Sequence, residues 1–223
     1  MNLCEIEHPC TINCINLNWQ QCVAKLQPSI IITNPHACCS DKHEQKCDQI
    51  SRKRRNQMLK GSSHHDVREN NEMVRIIHSK QKNIIGILPL NYRIDIDLNR
   101  KTSKASLHFR IFDYIYNINP HSVILDVHSY SLNHTWGKKT NKDTDLVILY
   151  SKYGVSKIFA LIMKHILHEY HIVLILGADN ILIDEASKKN HIALLLEFPE
   201  KGTNKKYQKI IKIIMNYFND FLK

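Results

Sequence analysis

Glycine and proline are scarce, with 6 of each in 223 residues. Collagen-like and low-complexity chains need far more of both, so those classes are excluded. No apolar run approaches the roughly 20 residues that a membrane-spanning helix requires. The first ten residues, M-N-L-C-E-I-E-H-P-C, lack a basic region followed by an apolar stretch, so no signal peptide is expected. Cysteine is missing from most of the chain: Cys4, Cys10, Cys14, Cys22, Cys38, Cys39 and Cys47 are all seven. An odd count without a secretion signal points to reduced thiols in the cytoplasm rather than a disulfide framework. No internal repeat is present, which sets aside solenoids and propellers.

What is present suits a packed core. Hydrophobic residues make up 43% of the chain, too many for global disorder. The length fits one sizeable α/β domain over residues 1–223, with the polar stretch 61–71 expected as a mobile loop. The formal net charge of +10 favours anionic partners or substrates and leaves nucleic-acid binding open as an alternative. A coding bias toward Lys, Asn and Ile accounts for the charge equally well. No membrane partner is expected.

Strand and helix signals alternate along the chain. Ser29–Thr33 is a short β-branched run that stops at Asn34-Pro35-His36, because proline cannot donate to a ladder. Asp48 is placed to cap a helix over Gln49–Lys60, and Glu72–Gln81 is a second helical candidate. Ile84–Leu90 is another apolar run. Residues Tyr92–Leu98 alternate, which puts Arg93, Asp95, Asp97 and Asn99 on one face. Lys104–Asn119, Val155–Tyr170 and Lys205–Leu222 have helical spacing. Val123–His128, Asp145–Tyr150, His171–Leu176 and Ile192–Phe198 read as strands. These runs are continuously apolar, as expected of strands buried on both faces. The fold class expected is α/β: a three-layer α/β/α sandwich around a mixed, mostly parallel sheet. In such sheets functional groups gather at the carboxyl ends of strands, and His36, His128 and Glu197 fall at or near such ends.

These residues have the chemistry of a hydrolytic metal site. A catalytic zinc usually takes three His or carboxylate ligands and keeps one position open for water. His36 and His128 are the imidazole candidates. The third ligand is sought among Asp41, Glu44 and Asp48, with Asp48 favoured because a helix start fixes its geometry. Glu197 is a carboxylate in an otherwise apolar strand. Burying it is costly without a partner or a purpose, and general acid/base work is such a purpose. Asn99 and Arg100 offer a donor fork for a substrate carboxylate, and Arg93 is placed to polarise the scissile carbonyl.

Each residue also has a plainer role. A histidine at a strand end is more often a satisfied structural residue, Glu197 can pair with a lysine, and D-L-N-R can be a turn. Asp126 either orients a ligand or caps a loop. Cys39-x3-His43-x3-Cys47 competes as a structural zinc site, although its spacing departs from the usual C-x2-C knuckles.

Four short segments, N-P-H-A at Asn34–Ala37, I-D-L-N-R at Ile96–Arg100, L-D-V-H-S-Y-S at Leu125–Ser131 and L-L-E-F at Leu195–Phe198, together resemble the N-formylglutamate amidohydrolase family. More distantly they are similar to the zinc carboxypeptidases, which share its phosphorylase/hydrolase-like fold. Their order matches the family's order of first ligand, substrate clamp, second histidine and catalytic glutamate. The resemblance implies a hydrolase with one zinc ion, acting on an amide bond beside a carboxylate in an N-formyl or N-acyl amino acid or a peptide. It implies His36 and His128 as ligands, Asn99 and Arg100 as the clamp, and Glu197 as acid/base. The carboxypeptidase pattern places a glutamate three residues after the first histidine. Here that position is Cys39, so the carboxylate ligand is displaced along the chain.

Overall fold

A computed structural model of the chain describes residues 4–7, 24, 29–33, 84–89, 107–119, 121–130, 143–177, 180–199 and 204–222. Among them, eleven elements succeed one another. They are β1 (Cys4–Glu7), β2 (Ile30–Thr33), β3 (Ile84–Pro89), α1 (Leu107–Ile118), β4 (Val123–Tyr130), β5 (Leu146–Tyr150), α2 (Ser156–Ile166), β6 (Ile172–Leu176), α3 (Ile181–Lys188), β7 (Ile192–Pro199) and α4 (Asn204–Phe221). The helices expected over Gln49–Lys60 and Glu72–Gln81, the strand over Tyr92–Leu98, the loop 61–71 and the Cys39–His43–Cys47 cluster lie outside the described residues.

The strands form one sheet in the order β1-β3-β2-β4-β7-β5-β6. Its centre is parallel: β3, β2, β4 and β7 run the same way. β5 joins β7 antiparallel, β6 follows β5 in parallel, and β1 is antiparallel to β3. The chain is therefore α/β with a mixed, mostly parallel sheet, as the uninterrupted apolar runs imply.

Alternation along each strand sorts the core into two layers. Val123, Leu125 and Val127 of β4, with Ile192, Leu194, Leu196 and Phe198 of β7, pack against α2 and α4 through Phe159, Met163, Tyr207, Ile211, Ile214 and Phe218. Ile124 and Tyr130 of β4, with Ala193 and Leu195 of β7, face α1 and α3 through Phe112, Ile115, Leu182, Ile183 and Ala186. Asp126 and His128 fall in step with Ile124 and Tyr130, and Glu197 with Leu195, so all three belong to the layer under α1 and α3.

Two elements depart from expectation. β1 lies in a stretch without a clean hydrophobic period. α3 follows β6 after four residues, where only a glycine stop was legible. Its start is set by Asn180, an extended residue whose side-chain Oδ1 accepts from the Ile183 N–H at 3.1 Å. Among the described residues no helix is long and apolar enough to cross a membrane.

Candidate active site

β4 and β7 are the two strands that carry the site. Their register pairs Asp126 with Leu195 and His128 with Glu197. Paired residues on parallel neighbours share a face, and adjacent strands are about 4.8 Å apart. An imidazole and a carboxylate therefore stand side by side near the carboxyl ends of two central strands. Each strand continues for two more residues, to Tyr130 and Pro199, so His128 and Glu197 sit within the ladder rather than past its end. β2, the strand that leads in sequence to Asn34-Pro35-His36, lies directly on the other side of β4, with Thr33 paired to Asp126.

Asp126 is fully buried and His128 is nearly so, at 0% and 3% exposure. Burial of a carboxylate costs several kcal/mol unless hydrogen bonds and charge compensate it. Two side-chain nitrogens converge on its Oδ2: His128 Nε2 lies 3.1 Å away, and the Asn180 amide donates to it at 2.9 Å. Its Oδ1 is buried with no hydrogen-bond partner among the described residues. Both roles considered for Asp126 have a contact: its Oδ2 lies beside His128, and it accepts from Asn180 in the connection before α3. A proton on Nε2, facing the carboxylate, would leave Nδ1 as the nitrogen with a lone pair. Imidazoles that bind metals are commonly held this way, with the second ring nitrogen donating to a carboxylate.

The sheet layer behind this cluster is polar in places as well. Tyr116 of α1 is buried, and its hydroxyl donates to the Leu182 carbonyl at 3.4 Å. Burial, and then the negative charge of Asp126, raise its pKa well above the ordinary tyrosine value, so it stays a donor.

Of the residues expected from sequence, His128 and Glu197 are brought together on neighbouring strands. His36, Asp48, Asp41, Glu44, Arg93, Asn99 and Arg100 lie outside the described residues. Among the described residues no three His, Cys, Asp or Glu side chains converge as a metal-binding group. Asn180 was missed. Its only sequence signal is the D-N-I step into a short apolar segment, an N-cap signature that says nothing about Asp126.

No protein-family model matches the chain, and no curated protein matches it in sequence. Solved structures do resemble it. An N-formylglutamate amidohydrolase from Ralstonia eutropha JMP134 superposes with a TM-score of 0.61 at 10% identity, over 99% of this chain and 98% of that one. The gene product Atu2144 from Agrobacterium tumefaciens gives 0.58 at 9% identity, over 100% and 95%. At such identities the likeness is one of fold, along nearly the whole length of each partner.

Proposed function

We propose that the chain is a zinc-dependent hydrolase that cleaves an amide bond beside a substrate carboxylate, in an N-formyl or N-acyl amino acid or at the end of a peptide. The observation that carries this proposal is the buried Asp126–His128 pair with Glu197 at the same level of the next strand. The fold likeness to an N-formylglutamate amidohydrolase supports it. The pair also fits the metal. A neutral imidazole backed by a buried carboxylate is a ligand of raised basicity, and a cation on Nδ1 would offset the charge that Asp126 keeps out of water.

In this proposal His128 holds the zinc with His36 and Asp48. A zinc ion so held supplies a water of pKa about 7 and a Lewis acid for the carbonyl. Glu197 accepts a proton from the attacking water and returns it to the departing amine. Asn99 and Arg100 bind the substrate carboxylate through a fork of donors, and Arg93 stabilises the charge that develops on the carbonyl oxygen. Asp126 moves no proton to substrate; it fixes the tautomer and orientation of His128.

A screen of N-formyl and N-acyl amino acids and short peptides, with zinc supplied, tests the activity. Glu197→Gln keeps the shape of the side chain and removes its basicity. Turnover should fall by about 10²–10⁴-fold while zinc content is unchanged. Full activity in that variant would remove Glu197 from the role.

A further inference from the structure

We infer that Asn180 is a positioning residue for His128, acting through Asp126 and tying the site to the first turn of α3. The inference rests on the proposal that His128 is a zinc ligand. Its own basis is the division of labour within one carboxamide. Asn180 Oδ1 accepts from the Ile183 N–H at 3.1 Å and so caps the helix. Its amide nitrogen donates to Asp126 Oδ2 at 2.9 Å. Only a side chain with an acceptor and a donor on one short stem can do both, and the two contacts fix which way the amide points.

Asp126 is a buried carboxylate with both nitrogen contacts on the same oxygen, and its Oδ1 has no hydrogen-bond partner among the described residues. Among its described contacts, these two are the ones that orient the carboxylate. With the Asn180 donor removed, Asp126 loses the hydrogen bond that orients Oδ2 beside His128. The imidazole then loses part of what fixes the direction of Nδ1. Residues that support a ligand from behind in this way typically contribute about 10–100-fold to metal affinity.

Substitutions that keep the cap separate this role from helix stability. Serine and aspartate both cap helices well, but Asn180→Ser is too short to reach Asp126, and Asn180→Asp sets a carboxylate against a carboxylate. Zinc affinity is read by competition with a chelator. The His128 ring is read by nitrogen NMR on metal-free protein, and helix content by circular dichroism. Both variants should keep native helix content, bind zinc about 10-fold or more weakly, and show altered His128 ring nitrogen signals. Asn180→Ser with zinc affinity within about twofold of the unsubstituted chain and unchanged ring signals would overturn the inference. Should the unsubstituted chain bind no zinc, the hydrolase proposal fails by itself. The ring signals of the metal-free variants then decide the role of Asn180: altered signals support it, unchanged signals end it.

Discussion

Asp126 sits where a sequence built only for stability would place an aliphatic residue. It is flanked by Ile124, Leu125 and Val127, all fully buried, and it is itself inaccessible to water. The Asn180 hydrogen bond and the His128 contact offset part of the cost of burial, and Oδ1, without a hydrogen-bond partner among the described residues, leaves part of it standing. In the proposed site such a residue acts through its neighbour. Asp126→Asn preserves shape and can still turn one oxygen to both nitrogens, but it removes the negative charge behind His128. We expect zinc affinity to drop by about 10–100-fold, measured by chelator competition. An unchanged affinity would show that the pair is structural only. His128 and Glu197 were legible as oddities in apolar runs, because polar groups are rarely placed there without cause. Asn180 was not. A side chain 54 positions away in sequence reaches Asp126 only through the path of the chain from β6 into α3.

At the scale of elements, the strands that carry the site were the easiest to foresee. β4 and β7 are buried on both faces and therefore read as unbroken apolar runs. The same property hides direction: L-V-I-L-Y in β5 looks alike whether it runs with β7 or against it, and it runs against. β1 is only four residues long, too short to carry a period. α3 has eight residues, about two turns, and its buried side chains Ile181, Leu182, Ile183 and Ala186 do not form a clean stripe. What holds α3 at its far end is packing on the turn before α2. Ser156 and Ser187 share a buried hydroxyl contact of 2.6 Å. Gly154, at φ +58°, lies so close to the Ser187 carbonyl that a Cβ would collide with it. Gly154→Ala combines this collision with a left-handed backbone, and it should cost at least about 1–3 kcal/mol in thermal or denaturant unfolding. A variant as stable as the unsubstituted chain would show that the turn can relax away from α3.

The whole molecule carries a net charge of +10, which suits capture of an anionic substrate. Its response to acid has a more local origin. His191, just before β7, is fully buried; its Nε2 donates to the Tyr116 carbonyl at 3.2 Å, and its Nδ1 accepts from Ser122 at 2.9 Å. Burial, aided by the charges of Lys189 and His121 and opposed by the two hydrogen bonds, lowers its pKa below the ordinary value of 6.5. The unfolded chain therefore binds a proton here before the folded chain does. The stability from neutral His191 is complete above about pH 6.5 and is lost as the pH falls from there through the lower folded value. The melting temperature of metal-free protein should decline over that window, and His191→Gln should flatten the decline. A slope unchanged by the substitution would assign the acid sensitivity to other groups.

The central claim is that His128, braced by Asp126, holds a zinc ion beside Glu197. Its most direct test is the zinc content of protein purified without chelators and supplied with zinc, compared between the unsubstituted chain and His128→Ala. The account predicts one zinc per chain in the first and nearly none in the second. No zinc in the unsubstituted chain, or equal zinc in both, would contradict it.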